Sequence, residues 1–499
     1  MNDVNFIDTT LRDGQMSLWA TAMRTDMILP VAATMDGAGF DAIEILAAGG
    51  FEKKMIRELR EDPFERIRLV RERVQKTALR MIRGRYLTAF QISPRSLEDL
   101  WWKRIAVHGV RQARLADSSN TPGNWRKLVR AARSVGIVPI VNLIFGESPK
   151  HTDEYYAQKA REAAKLDVHR ICLKDPGGLL TPERTRTVVP VILQNINGIP
   201  LEFHTHCHTG LGPLCSLEAI KLGVRYVNAA IPPLADSSSN PSLFNLIKNA
   251  RTLGYTSNVD EDGLKLVEEH FRAIAVRQGW PMGAPAHYDS YQYIHQVPGG
   301  MISNLRHQLS QAGLRDRLND VLEETARVRT DFGYPIMVTP YSQFVGVQAA
   351  MNVVAGERYK VVSDEVIQYA LGLWGEEEKE SIDPDVRDRI LSRPRAKELA
   401  RWQPPQFSLR ELRRQHGGAG VSDDDLLLRY FAGEDHVAEM RAQGSLNAPT
   451  DRGQSLARLT SLVSVLDELT KRTKSYYVHV QKSGAVSLKL ERKRQQAIS

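Results

Sequence analysis

Three cysteines in 499 residues, Cys172, Cys207 and Cys215, are too few for a disulfide framework and fit a reducing compartment. No run of about 18 apolar residues occurs. The opening residues, Met1-Asn2-Asp3-Val4-Asn5-Phe6, form neither a basic n-region nor an apolar h-region. The expectation is a cytoplasmic protein without a membrane span. Charge of one sign is also scarce. The net charge of +8 is modest for this length, and the basic excess sits in local clusters rather than an aromatic-interleaved stripe. Nucleic-acid binding is therefore not expected. No Gly-x-Gly-x-x-Gly follows any candidate strand, which removes the dinucleotide signature of a doubly wound sheet, the competing architecture.

What is present is an ordinary globular composition, 42% hydrophobic and 25% charged, arranged as alternating strand and helix patterns. Short apolar runs bounded by turn residues lie at Asn5 to Thr9, Asp41 to Leu46, Leu79 to Arg83 and Gln112 to Ala116. Four more lie at Val138 to Phe145, Arg170 to Lys174, Leu201 to His206 and Tyr226 to Ile231. A helical pattern follows each, from Arg24 to Gly39 after the first to Pro241 to Gly254 after the last. Eight such units predict an α/β fold, a (β/α)8 TIM barrel over residues 1–300.

Beyond Gly300 helical patterns dominate. Ile302 to Gln311, Arg315 to Asp331, Gln343 to Val354, Asp364 to Leu373, Ser422 to Gly433 and Glu434 to Gly444 make a mainly helical region over 301–444. Glu376 to Pro405 reads as partly linker. The Gly-, Ser- and Asn-bearing stretch after Gly444 reads as a linker before a small tail, 455–499. That tail combines a helix, Ser455 to Lys471, with a β-hairpin of Tyr476 to Val480 and Ala485 to Leu490. It is either a docking element or a piece that packs on its own protein.

In parallel barrels the functional groups gather at the C-terminal strand ends. There this chain places Arg12 and Asp13, Arg83, Asp117, Lys174 and Asp175, His204 and His206, and Ser237, Ser238 and Ser239. His204 and His206, spaced by two on a strand, point to one face and suit a divalent metal. Asp13 supplies an anionic third ligand, one short of a tetrahedral set. Lys174 beside such a cation would lose its proton readily. Its neutral amine can then take up CO2 and become an anionic ligand; a Schiff base or a salt bridge is the plainer alternative.

These motifs resemble the biotin-dependent carboxyltransferases: the transcarboxylase keto-acid subunit, the oxaloacetate decarboxylase α subunit and the carboxyltransferase domain of pyruvate carboxylase. Asp8-Thr9-Thr10-Leu11-Arg12-Asp13-Gly14 looks like the opening motif of the wider family of metal barrels. Ser17-Leu18-Trp19-Ala20-Thr21, Glu61-Asp62-Pro63-Phe64-Glu65-Arg66, Arg83-Gly84, Leu173-Lys174-Asp175, His204-Thr205-His206 and Val297-Pro298-Gly299-Gly300-Met301 follow in order. The resemblance covers about residues 3 to 440. It implies a metal (zinc, cobalt or manganese) on Asp13, His204, His206 and a carbamylated Lys174. It implies Arg12 and Arg83 near the keto acid, Asp117 as a supporting acid and Ser238 as the proton carrier between biotin and acceptor. A homodimer is implied as well.

Several positions depart from the family pattern. Met16 stands where a ketone-holding glutamine is usual, with Gln15 one position early. Phe90 stands where pyruvate carboxylases have tyrosine, and Cys207-His208 replaces Asp-Thr. A divergent acceptor, or weakened chemistry, is implied. There is no Ala-Met-Lys-Met biotin-attachment sequence and no ATP-binding carboxylase region. Biotin would then arrive on a separate carrier protein, loaded by a separate biotin carboxylase subunit. The expected function is carboxyl transfer between carboxybiotin and a small keto acid, of the pyruvate or oxaloacetate type or a divergent one. The alternatives are a biotin-independent lyase or condensing enzyme on the same barrel, and a non-catalytic scaffold.

Overall fold

The computed structural model describes residues 3–88, 92–298, 309, 315–404, 406–444, 476–482 and 486–492. The expected helices at 302–311, apart from Leu309, and 455–471 lie outside the described residues, as do Phe90 and residues 299–301 of the Val-Pro-Gly-Gly-Met motif.

Eight parallel strands close into a barrel in sequence order: β1 (Asn5–Asp8), β2 (Ala42–Ala47), β3 (Ala78–Arg83), β4 (Gln112–Ala116), β5 (Val138–Ile144), β6 (Arg170–Asp175), β7 (Leu201–Thr205) and β8 (Tyr226–Ala229). Along each strand alternate residues face the lumen and the helix layer. Outward residues such as Ile43, Met81, Val141, Leu173 and Phe203 join one apolar core with the surrounding helices. The lumen is different. Barrel interiors are usually filled by branched apolar side chains, yet Glu44, Arg80, Arg114 and Glu202 are all buried here. Arg80 Nη1 donates to Glu202 Oε1 at 2.7 Å, and Arg114 Nη2 to Glu44 Oε2 at 3.0 Å. Arg170 closes the lower end, reaching Asp41 at 2.6 and 2.7 Å while its guanidinium lies over the Tyr226 ring. Mutual pairing is what makes buried charges of this kind tolerable.

Several elements escaped the sequence patterns, among them two longer helices. The helix Glu261–Gln278 lies beyond the eighth unit; Asp260 caps its start through Gly263 N, and Gly279, at φ 66°, ends it. Its buried Leu264, Val267, Phe271 and Ile274 join the barrel core. The helix Leu409–Gln415 starts on a capping box between Ser408 and Glu411. The stretch read as partly linker carries three short helices, Glu376–Lys379, Pro384–Leu391 and Pro394–Ala400, the last two begun by proline, which suits a first helical position.

The helical region serves two cores. Helices from Leu318–Asp331 through Pro394–Ala400 build a second apolar cluster around Phe332, Phe344 and Tyr369. The later helices Asp423–Ala432 and Glu434–Ala442 pack Leu426, Phe431 and Met440 into the barrel's own core. The first group covers the C-terminal mouth of the barrel. Ser118 Oγ donates to Thr339 O at 3.0 Å, Tyr86 OH donates to Leu373 O at 2.9 Å, and Ser119 Oγ meets Tyr341 OH at 2.5 Å.

The chain divides into two compact units, Met1–Leu446 and Asn447–Ser499; barrel and helical region both lie in the first. In the second, β9 (Tyr476–Lys482) and β10 (Val486–Arg492) pair antiparallel, with Val486 opposite Lys482, so each strand runs two residues past the end that β-alternation indicated. Among the described residues no helix is long and apolar enough to cross a membrane.

Candidate active site

The chain leaves β1 in a tight buried turn, Thr10–Gly14, that carries Arg12 and Asp13. Threonine hydroxyls fasten it: Thr9 Oγ1 donates to Asn240 Oδ1 at 2.7 Å, and Thr10 Oγ1 accepts from Ile231 N at 2.8 Å. Across the mouth, β7 presents His204 and the residue just after it presents His206. Asp13 Oδ2 lies 3.2 Å from His204 Nε2 and 3.3 Å from His206 Nε2. Among the described residues these three form the one group of histidine, cysteine or acidic side chains whose ligand atoms lie within 4.8 Å of one another.

Hydrogen bonds on the far side of each ring decide which nitrogen carries the proton. His206 Nδ1 donates to Ser238 O at 2.7 Å. His204 Nδ1 faces Asn228 Oδ1 at 3.0 Å, and the Asn228 amide is oriented by its own donation to Glu202 Oε1 at 2.8 Å. His206 therefore carries its hydrogen on Nδ1, with its Nε2 lone pair facing Asp13 Oδ2; His204 Nδ1 is also met at 3.1 Å by Arg114 Nη1, and the Asn240 amide nitrogen lies 3.4 Å from His204 Nε2. Asp13 Oδ2 is buried and accepts no well-formed hydrogen bond, although Arg12 Nη1 lies 3.0 Å from it. Burial, with Arg114 nearby, lowers the His204 pKa to about 3, so a proton does not resolve the clash at neutral pH. Burial would raise the pKa of Asp13, but Arg12 and the two histidines hold it well below the usual range. A carboxylate and two imidazole nitrogens facing one point match the donor set of a cation site. Ligands about 2.0–2.1 Å from a tetrahedral metal are about 3.3 Å apart, and the observed separations agree.

Lys174 pairs in register with His204 across β6 and β7, which brings it to the same end of the barrel. Among the described residues it enters no ion pair. Burial first, then Arg114 and Arg12, lower its pKa to about 8. Arg12 lies 3.0 Å from Asp13 and donates to Glu44 at 2.9 Å. Ser238 Oγ donates to Ser17 O at 3.0 Å, and Ser17 Oγ reaches Asp13 Oδ1 at 3.3 Å, so Ser238 borders the cluster through both its carbonyl and its hydroxyl. Ser237 is instead engaged by Ala284. His208 stacks on His206, centroids 5.5 Å apart, and Cys207 is buried.

A cavity of about 620 Å³ opens beside this cluster, with Arg12, Met16, Lys174 and Arg85 in its wall. Thr339 and Tyr341 roof it from the helical region, and Tyr430 and Phe431 add a side wall.

Two family models match the chain, a conserved carboxylase domain over residues 293–436 and an HMGL-like domain over residues 109–270. A pyruvate carboxylase subunit of Methanocaldococcus jannaschii is 32% identical over 467 residues, which cover 92% of this chain and 81% of that protein. The chain belongs to the biotin-dependent carboxyltransferase family. It is 31% identical to the large subunit of the 2-oxoglutarate carboxylase of Hydrogenobacter thermophilus over 405 residues, 81% of this chain and 61% of that one. The solved carboxyl transferase domain of Rhizobium etli pyruvate carboxylase with oxamate and biotin superposes with a TM-score of 0.80. It is 25% identical and covers 89% of this chain and 78% of that one.

Within this carboxyltransferase several residues singled out from sequence lie away from the cavity. Arg83 faces the helix layer, because Arg80 and Ile82 on the same strand take the inward positions. Its guanidinium pairs with Glu98 and lies over the Trp101 ring. Gln15 is buried, with Oε1 accepting from Met23 N at 3.4 Å, and only its neighbour Met16 reaches the cavity wall. Asp117 is fully buried and clamped by Arg85 at 2.6 and 2.8 Å; burial would raise its pKa, but Arg85 outweighs that and lowers it. Conversely, Arg114 and Asn228 position His204, and Arg85 lines the cavity, though none of the three belongs to a sequence motif described above. The signal for the first two was a polar residue in the middle of an apolar strand, as in Ala113-Arg114-Leu115 and Val227-Asn228-Ala229.

Proposed function

We propose that this enzyme moves a carboxyl group between carboxybiotin on a separate carrier protein and a small 2-oxo acid. A biotin carboxylase subunit would charge the carrier. The carrying observation is the convergence of Asp13 Oδ2, His204 Nε2 and His206 Nε2 at the mouth of a barrel from this family. The names of the relatives, a pyruvate carboxylase subunit and a 2-oxoglutarate carboxylase, support a 2-oxo acid as acceptor.

On this reading Asp13, His204 and His206 hold a divalent metal, and Lys174 completes the set. The amine of Lys174, at a pKa of about 8, is neutral in an appreciable fraction of molecules near pH 7. It adds CO2 and loses a proton, giving an anionic carbamate oxygen. The metal supplies Lewis acidity that favours the enolate form of the 2-oxo acid. Arg12, held in place by Glu44, orients the acid and adds positive charge where the enolate oxygen develops. The bond between the carboxyl carbon and the ureido nitrogen of biotin breaks, and a carbon–carbon bond forms at C3 of the acceptor. The proton lost from C3 ends on the ureido nitrogen, and Ser238 carries it. The roof over the barrel mouth limits water, which would otherwise protonate the enolate.

The test is biotin-stimulated decarboxylation of 2-oxo acids by the purified chain. Acceleration by free biotin in the wild type, lost in His206→Ala, supports the reading. No acceleration with any acid tried, in the metal-loaded protein, counts against it and favours the biotin-independent alternative.

A further inference from the structure

Asn142 stands alone in its strand. β5 is otherwise apolar, Val138-Pro139-Ile140-Val141-Asn142-Leu143-Ile144, and Asn142 is fully buried within it. Val141 and Leu143 join the core outside the barrel, so alternation turns Asn142 into the lumen. Among the described residues neither its amide nitrogen nor its amide oxygen has a hydrogen-bond partner. A buried amide unpaired at both ends is costly, and it marks a place where a ligand group or a bound water belongs.

Its place in the barrel says which. Asn142 pairs in register with Cys172 on β6, and Lys174, two residues further along, faces the same lumen. The strand spacing and rise put the Cα atoms of Asn142 and Lys174 about 8 Å apart, a gap that a long side chain spans. Once Lys174 carries CO2, one carbamate oxygen can serve the metal, and the other needs a donor. The cations close by are committed, Arg12 to Glu44 and Asp13, Arg114 to Glu44 and the His204 ring. Gln15 Nε2 and Ser239 Oγ are also buried without partners, but they follow β1 and β8, across the barrel from β5. We propose that Asn142 is a positioning residue for the Lys174 carbamate, its amide N–H donating to the carbamate oxygen turned away from the metal. The step it favours is a simple addition: the Lys174 nitrogen bonds to the carbon of CO2 and releases one proton to solvent. This rests on the carbamylated Lys174 of the carboxyl-transfer reading, and it adds the residue that stabilises that form.

Carbon NMR of the zinc-loaded full chain, titrated with isotope-labelled CO2, reads the carbamate directly, and Lys174→Met assigns its signal. Asn142→Val and Asn142→Thr have the same branched shape, suited to a strand, and differ in one hydroxyl donor. Asn142→Val should raise the CO2 concentration at half-occupancy about tenfold or more, the effect of losing a hydrogen bond to a charged acceptor. Asn142→Thr, which keeps a donor, should stay within about threefold of wild type. Wild-type occupancy in Asn142→Val, the result if the amide holds only a water, overturns the proposal, and so does an equal loss in both variants. A wild type without a Lys174-dependent signal overturns it together with the carbamylated Lys174. The carboxyl-transfer reading stands or falls separately, on biotin-stimulated turnover.

Discussion

The amide oxygen of Asn228 lies 3.0 Å from Nδ1 of His204, deep in the barrel. The Asn228 amide nitrogen is committed to Glu202, and with Arg114 Nη1, 3.1 Å from the same Nδ1, Asn228 holds the His204 ring with Nε2 toward Asp13. Outer contacts of this kind typically contribute about 10–100-fold to metal affinity. Asn228→Ala is therefore expected to weaken metal binding by about that factor in a competition titration against a chelator, with the fold retained. Unchanged affinity would show that Asn228 does not set the ring.

Arg83 is buried against Trp101 and paired with Glu98 rather than facing the cavity. Removing one member of a buried pair leaves the other charge unsatisfied and costs several kcal/mol. Because Glu98 is partly exposed, the loss for Arg83→Met should be about 3 kcal/mol in denaturant unfolding, with KM for the acceptor within about threefold of wild type. A KM raised tenfold or more at unchanged stability would put Arg83 in contact with substrate.

Glu52 is a buried carboxyl whose pKa is raised to about 8, by burial against weaker opposing contacts from its own and the Gly49 backbone N–H groups. Its folded form thus prefers the proton. The stability it contributes is fully present below the unfolded pKa of about 4.3 and is lost as pH rises through about 8. Glu52→Gln keeps the neutral form at every pH. It should match wild type near pH 4.5 and exceed it by a few kcal/mol near pH 8, at up to about 1.4 kcal/mol per pH unit in between. Parallel stability curves for the two proteins across that window would contradict the assignment.

The barrel and the metal-type cluster were legible in the sequence because both rest on local signals. Short apolar runs with flanking turns marked every strand, and His204-Thr205-His206 reads directly as two side chains on one face. What stayed hidden depends on which way a side chain turns. Arg83 sits at a strand end, as Lys174 does, but Arg80 and Ile82 occupy the inward phase of its strand, and alternation alone sends Arg83 out. The charged lumen was missed because Glu44, Arg80, Arg114 and Glu202 sit mid-strand, below the layer where functional groups usually gather. The helix Glu261–Gln278 had clear caps in Asp260 and Gly279, and only its place beyond the eighth unit concealed it.

Transfer of a labelled carboxyl group from a carboxylated biotin carrier to 2-oxo acids tests the account most directly. The expected result is label in the 2-oxo acid with wild-type protein, abolished by chelation of the metal and by Asp13→Ala, and restored to the chelated wild type by a divalent metal. Label transfer that persists undiminished in Asp13→Ala, or no transfer to any 2-oxo acid by the metal-loaded wild type, would contradict it.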